Sequence, residues 1–341
     1  MMPSVIRASL IAQSLAAVAL VALAPPAAAE THEIRLAKQF SMGYVQFNVL
    51  DHQKLIEKHA AALGIPDLKV TWATFNGPDA MNTALVSGSV DVVSGGVPGL
   101  VTLWAKTKGT PLAVKGISAL SSQPFLLNTR EARIKTVKDF TDNDRIAVPA
   151  VKVSVQAVTL QMAAAQAFGF DKYDKLDSLT LSLSPPDATI GLLGGSATFD
   201  SVFSVPPFQQ QQLEKPGIHT VLNSFDVMGG PHSFTVVWTT AKFHDENPTV
   251  YKALMAALGE ATDIINKNKT AAAQLWIEDS HSKLSLDFVH NVLAGPQVKW
   301  TLVPQNTMKY ADFMHKVGSI KEAPASWKDL FFPEIHDKAG S

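Results

Sequence analysis

From residue 34 to residue 104, short apolar runs of strand length alternate with longer runs of helical period, and this alternation limits the fold more than any other feature of the chain. Ile34 to Ala37 reads as a strand. Val45 to Leu63 reads as a helix that ends at Gly64 with Pro66 beyond it, and Leu68 to Phe75 as a second strand. Helical Ala80 to Val86 stops at Gly88, Val90 to Ser94 forms a buried strand, and Pro98 opens the next helix, through Trp104. Strands joined by crossover helices pair in parallel, so an α/β protein with a mainly parallel, helix-covered sheet is expected.

The same grammar recurs further along. Pro78-Asp79-Ala80, Leu85, Gly88, Asp91 and Pro98 are echoed by Pro186-Asp187-Ala188, Leu193, Gly195, Asp200 and Pro206, which suggests two similar lobes. Between the copies lie the strand Arg145 to Val148 and the apolar helix Val155 to Phe168. Beyond about residue 240 the pattern turns helical, with segments at Pro248–Asn266, Thr270–Glu278, Leu286–Leu293 and Thr307–Val317 expected to pack on the first lobe.

Arg7, the apolar stretch Leu10 to Ala24, Pro25-Pro26 and Ala27-Ala28-Ala29 match the three parts of a secretory signal, with cleavage expected after Ala29. The apolar core is shorter than the roughly 20 residues that span a bilayer. No Cys follows it, so a thiol-linked lipid anchor is excluded and a freely diffusing periplasmic protein is expected. Removing the leader takes away one cation and no anion, moving the formal net charge from −1 to −2. A nearly neutral chain has no charge excess for nucleic acid or an anionic bilayer. The complete lack of Cys also removes disulfides, thiolate metal sites and cysteine nucleophiles.

Local signatures of chemistry are missing: there is no G-x-S-x-G, P-loop, G-x-G-x-x-G or H-E-x-x-H. His52 and His59 are two helical turns apart, too far for one metal, and Asp139, Asp142 and Asp144 lack the glycine and distal glutamate of a calcium loop. No catalytic residue, metal site or cofactor is therefore expected.

Several segments carry a family resemblance: Lys38-Gln39-Phe40-Ser41-Met42-Gly43 after the first strand, the run Ala84 to Val93, and the glycine-rich Gly95-Gly96-Val97-Pro98. The tail Phe313 to Lys321, with Pro324, Ser326, Trp327 and Lys328, extends it. With these segments the chain resembles the periplasmic solute-binding proteins of ABC importers in the nitrate, taurine and sulfonate (NitT/TauT) group, relatives of the thiamine-pyrimidine synthase-like domain. The resemblance implies a two-lobed clamshell of type II periplasmic-binding-protein fold with a ligand cleft between the lobes. Lobe 1 is expected at residues 30–118 plus 234–341 and lobe 2 at 124–224, with crossings near 118–124 and 224–233. It further implies a monomer that takes a small-molecule solute to ABC permease subunits and does no covalent chemistry. A thiamine-pyrimidine-related enzyme is the alternative, but such enzymes carry a cysteine-rich motif that is absent here; a sensory binding protein for a membrane receptor is another.

Ligands of open α/β sheets sit at the C-terminal ends of parallel strands, so the contacts are sought on strand-to-helix loops. Gln39, Phe40, Ser41 and Tyr44 follow the first strand, and Asn76 ends the second, where it can cap the next helix or share its free N–H groups with an anion. Lys38 is expected to be solvated. Gly95 and Gly96 let backbone approach a ligand, while Ser122 and Gln123 sit at a crossing and Ser154 and Gln156 at the start of the second lobe's helix. Ser204 and Val205 lie where relatives present a polar or aromatic residue before proline, and His232 lies at the return crossing. Beyond the leader the only arginines are Arg35, Arg130, Arg133 and Arg145, none on a predicted cleft loop, so no bidentate clamp on a carboxylate or sulfonate is visible.

Overall fold

The computed structural model describes residues 30–341; the expected leader and its cleavage site lie outside them. In chain order the regular elements begin with β1 (Glu33–Gln39), α1 (Val45–His52), α2 (Leu55–Ala62), β2 (Lys69–Phe75), α3 (Pro78–Val86), β3 (Val92–Gly95), α4 (Val97–Thr107) and β4 (Val114–Ser122). Then come β5 (Leu126–Thr129), β6 (Ile146–Val148), α5 (Val155–Phe168), β7 (Thr180–Ser182), α6 (Pro185–Gly194), β8 (Ser201–Phe203), α7 (Phe208–Leu213), β9 (His219–Asn223) and α8 (Ser224–Met228). The chain closes with β10 (Ser233–Thr240), α9 (Ala241–Glu246), α10 (Pro248–Lys267), α11 (Lys269–Ser280), α12 (Leu286–Leu293), β11 (Lys299–Trp300), α13 (Thr307–Lys316) and α14 (Trp327–Leu330).

Two sheets form, ordered β11-β4-β10-β3-β1-β2 and β7-β6-β8-β5-β9. In the first, β1 pairs in parallel with β2 and β3, and β10 runs antiparallel between β3 and β4. In the second, β6 pairs in parallel with β7 and β8, and β5 runs antiparallel to β8 and β9. The sheets therefore repeat one topology, with β2, β1, β3, β10 and β4 matched by β7, β6, β8, β5 and β9. The sequence echo falls in register with it. Asp91 precedes β3 and accepts the Arg35 backbone N–H at 2.8 Å, while Asp200 precedes β8 and accepts the Arg145 N–H at 3.1 Å. These are equivalent braces between adjacent parallel strands. The chain passes between sheets twice, through residues 123–125 after β4 and through 224–232 before β10.

Helix boundaries follow local chemistry. Ser154 accepts the Ala157 N–H to cap α5, which stops at Gly169 with φ 99°. The helix expected over Val45–Leu63 is instead two, because Lys54 adopts a left-handed φ of 51° between α1 and α2. Lone polar and charged residues at 51–54 leave no apolar contact to hold that turn continuous.

The helical tail divides. Helices α10 and α11 pack on α1 and α2, and α12 on α11. Helix α13 packs instead against both α4 of lobe 1 and α5 of lobe 2. Tyr310 on α13 is fully buried, its hydroxyl 3.0 Å from Thr159 Oγ1, and Phe313 meets the rings of Phe170 and Tyr173 edge-on. The apolar content of α13 fits either lobe, so only the three-dimensional arrangement reveals that it ties both.

Candidate functional site

The loops at the C-terminal ends of the parallel strands of both sheets face one another across a cleft. Its lobe 1 wall starts with Gln39, Phe40, Ser41 and Tyr44 after β1, and continues through Pro78, Gly96 and Gly99 at the starts of α3 and α4. The lobe 2 wall consists of Pro149 and Val153, then Ser154, Val155 and Gln156 at the start of α5, Pro185 at the start of α6, and Val205 after β8. Phe234, at the start of β10, completes the lining.

Helix N-termini therefore point into the cleft from both sides, and their free N–H groups and dipoles favour negative charge or an acceptor atom. The ends differ in how their donors are used. Ser154 Oγ caps α5 and Ser184 Oγ caps α6, whereas Gly77 before α3 and Gly96 before α4 provide no side-chain cap. The uncapped ends are those of lobe 1. Asn76 does not supply the cap expected of it: it is exposed, and Gly77 occupies the N-cap position.

Among the described residues, no ionisable side chain other than the Tyr44 phenol lines the cleft. Tyr44 is buried, and desolvation alone pushes its phenol well above the ordinary tyrosine range, so it stays protonated as a donor. Among the described residues, the Tyr44 hydroxyl and the Gln39 and Gln156 carboxamides have no hydrogen-bond partner, although Gln156 is only 3% exposed. Three neutral groups able to donate and three carbonyl or hydroxyl acceptors thus converge on an otherwise apolar space. All four arginines among the described residues are engaged elsewhere: Arg35 with Asp91, Arg133 with Asp144, Arg130 with the Ser196 carbonyl, and Arg145 with the carbonyls of Asp142 and Asp144. Lys38 is neither solvated nor in the cleft. It is largely buried beside Asp279, 3.6 Å away, and burial lowers its pKa.

The lobes touch. Met42 N–H and Ser41 Oγ both donate to the Pro206 carbonyl, at 2.9 and 2.8 Å, and Gly96 lies directly against the Val155 side chain. The free space left between the walls is about 20 Å³, room for one water-sized molecule. Any organic solute must therefore part the lobes further than this.

Of the residues selected from sequence, Gln39, Phe40, Ser41, Tyr44, Gly96, Ser154, Gln156 and Val205 come together at this cleft. The others lie outside its lining. Gly95 packs beneath Gln39 and the Trp238 ring; Ser122 is buried within β4 with its hydroxyl unpartnered; Gln123 donates to Ser121 Oγ. Ser204 accepts from the Gln212 amide. His232 is wholly buried between the two crossings, where Nδ1 meets the Ser233 carbonyl and Nε2 meets Ser224 Oγ, both at 3.0 Å. A carbonyl can only accept, so Nδ1 carries the proton and Nε2 accepts from Ser224, whose oxygen in turn accepts the Phe125 N–H. The ring is a hinge pin. Each of these residues is adjacent in sequence to the cleft or crossing, but apart from Gly95, which has no side chain, strand alternation or a competing internal partner turns the side chain away.

The sequence reading did not select Pro78, Gly99, Pro149, Val153, Val155, Pro185 and Phe234 as lining residues. Pro185 had a signal, since the repeat equates the start of α6 with that of α3. Phe234 had none, because only the return strand's approach angle brings it under the loop at Gly43.

Among the described residues, no helix is long and apolar enough to cross a membrane, and no group of His, Asp and Glu is placed to hold a metal ion. Over residues 27–277 the chain matches the NMT1-like family. No curated protein matches it in sequence. Among solved structures it is similar to the alkanesulfonate-binding protein SsuA from Xanthomonas axonopodis pv. citri bound to MOPS, at 18% identity and TM-score 0.67 over 85% of this chain and 94% of that one. It is also similar to the periplasmic aliphatic sulphonate binding protein SsuA from Escherichia coli, at 17% identity and TM-score 0.64 over 89% of this chain and 92% of that one. The periplasmic nitrate-binding protein NrtA from Synechocystis PCC 6803 aligns at 14% identity and TM-score 0.67, over 88% of this chain and 84% of that one. At such identities the likeness carries the fold, a periplasmic-binding-protein clamshell.

Proposed function

The chain belongs to the NMT1-like family, and from that premise we propose that it is the exported solute-binding component of an ABC importer, capturing a small solute between its lobes and presenting the closed form to the permease. The observation that carries this reading is the cleft itself, with helix N-termini and unpartnered polar side chains supplied by both lobes. Solute contacts from both walls exist together only when the lobes approach, so binding favours closure by population shift. The expected leader supports export to the periplasm with cleavage behind Ala29, and the family resemblance supports action as a monomer.

The solute we propose is of sulfonate, nitrate, carboxylate or pyrimidine type, and the cleft's chemistry supports an acceptor-bearing head on such a molecule. Uncapped helix ends favour an oxyanion or acceptor by roughly 0.3 to 1 kcal/mol each, and up to about 2 when partly buried, without arginine. Phe40, Phe234 and the valines and prolines suit an apolar body attached to that head. Micromolar affinity requires about −8 kcal/mol net, within reach of several such contacts.

The test is a thermal-shift screen of residues 30–341 against taurine, alkanesulfonates, nitrate, bicarbonate, aromatic carboxylates and thiamine pyrimidines, after denaturation and refolding to strip carried solute. A true ligand at a hundredfold excess over Kd stabilises by about 2.7 kcal/mol. One responding class supports the reading and names the solute. Silence throughout, together with turnover of any panel member, overturns it.

A further inference from the structure

A second concavity, of about 330 Å³, lies beside the hinge and shares no lining residue with the cleft. That volume falls within the range of small-molecule sites. Its lobe 1 side is α12 and the turn after it, and its lobe 2 side is α7 with the end of β9. The polar side chains lining it are all carboxamides: Gln123, Gln209, Gln210, Asn223, Asn291 and Gln297.

These amides are not spent on one another. Gln209 is consumed structurally, accepting the Leu126 N–H and donating to the Pro124 carbonyl. Gln210 Oε1, by contrast, is buried without a partner. Such an atom costs about 1–3 kcal/mol, and rotation of the Gln210 side chain toward a donor held in the groove would relieve that cost. Gln123 uses its Nε2 on Ser121 and Asn223 its Oδ1 on the Phe225 N–H, leaving the complementary end of each. Phe288 adds a half-buried aromatic ring, and Pro124, Pro206 and Pro296 add flat apolar surface.

We propose that this groove is a second small-molecule site, taking an uncharged planar ligand with an amide-type donor–acceptor edge, such as a nucleobase or a free heteroaromatic carboxamide. A carboxamide presents one donor and one acceptor side by side and pairs with an edge bearing the complement, as Asn and Gln do with adenine. A charged ligand would be desolvated with no counter-ion in the lining. The site is also mechanically linked to the cleft. Pro206 lines the groove, while its carbonyl takes the Met42 and Ser41 bonds that hold the lobes together. An occupant touching α12 and α7 at once therefore favours the lobe spacing at which both walls reach it.

The probes are adenine, nicotinamide and nicotinate, titrated by ligand-observed NMR and calorimetry. Adenine and nicotinamide separate the nucleobase and carboxamide sources, and nicotinate keeps the ring of nicotinamide but carries a carboxylate. At least one neutral probe is expected to bind with Kd below about 1 mM, and nicotinate at least about tenfold more weakly than nicotinamide. Asn291→Lys, at an exposed position that leaves the fold intact, should weaken the neutral probe at least about tenfold, as should Phe288→Ala, while Gln39→Ala in the cleft should leave it unchanged. The proposal is overturned if neither neutral probe binds, if nicotinate binds as well as nicotinamide, if Asn291→Lys has no effect, or if Gln39→Ala abolishes binding. Because aromatic carboxylates are also candidate cleft solutes, the nicotinate comparison is read in the Gln39→Ala, Tyr44→Ala double variant, so that failure of the groove and failure of the solute-capture reading remain distinguishable.

Discussion

Gly96 of lobe 1 lies so close to Val155 of lobe 2 that a Cβ built on the glycine would stand 2.5 Å from the valine Cβ. The backbone at Gly96 has φ −70° and ψ 152°, a conformation any residue adopts, so the demand for glycine is purely one of interlobe distance. Gly96→Ala should consequently prop the lobes apart. Small-angle scattering of the solute-free protein is expected to report a larger radius of gyration for the variant than for the wild type. An unchanged value would mean that the Gly96–Val155 approach does not set the lobe spacing in solution.

The unpartnered Tyr44 hydroxyl gives a cleaner probe of the cleft. Tyr44→Phe deletes one oxygen and no packing, so solute affinity should fall by about 1 kcal/mol or more, while the melting temperature without solute holds because no intramolecular hydrogen bond is lost. Gln39→Ala combined with Tyr44→Ala should abolish binding. Full affinity in the double variant would move the site elsewhere.

His232 makes stability depend on pH. Burial, reinforced by the Lys309 ammonium and opposed by the Ser233 carbonyl, lowers its pKa from 6.5 to about 4. The unfolded chain therefore binds a proton that the folded chain refuses over that interval, and stability must drop as pH falls through it and level off below about 4. The loss between about pH 7.5 and pH 5 should be on the order of 2 kcal/mol. Denaturation midpoints of the wild type and His232→Gln across this range test it; an equal slope in both would assign the pH dependence to other groups.

The brace at Asp91 stands away from the cleft and should behave accordingly. Its carboxylate accepts the Arg35 backbone N–H and both guanidinium donors at 2.7–2.9 Å. Asp91→Ala should cost about 1–3 kcal/mol of stability while leaving solute affinity unaltered. A change in affinity at constant stability would contradict the separation of brace from site.

On α13, Tyr310→Phe removes the bond to Thr159 but leaves that hydroxyl its Val155 carbonyl acceptor at 2.7 Å, so no group is orphaned. A modest loss of about 1 kcal/mol is expected in urea unfolding. A loss several times larger would show that the two hydroxyls act within a wider network.

Most of the architecture was legible because its signals are local. Ser154 before an apolar helical run, Gly169 after it, and the doubled Pro-Asp-Ala grammar each act over a few residues, and helices α5 and α12 fall on their expected bounds. The break at Lys54 was not legible, since it depends on a left-handed residue that is neither Gly nor Asn. Half of the site shared that advantage: strand-end loops are predictable, and so Gln39 and Gln156 were found. Side-chain direction is not local. Lys38 and Gln39 are neighbours facing opposite sides of one strand, and His232 was drawn from cleft to hinge by Ser224 and Ser233. Phe234 entered the cleft only because a strand formed late in sequence crosses beneath the first loop.

That late strand has a consequence for how the molecule is assembled. Lobe 2 draws all five strands from one unbroken stretch, β5 to β9, whereas β10 must slot between β3 and β4, strands made more than a hundred residues earlier. A chain emerging from its N-terminus can therefore complete the inserted lobe while the lobe that begins the protein still waits, its middle strand missing and two edges open. Closing so long a loop is slow and leaves unpaired strands exposed in the meantime. The hinge is thus drawn tight last, and the capacity to close on a solute arises only when the fold as a whole is finished.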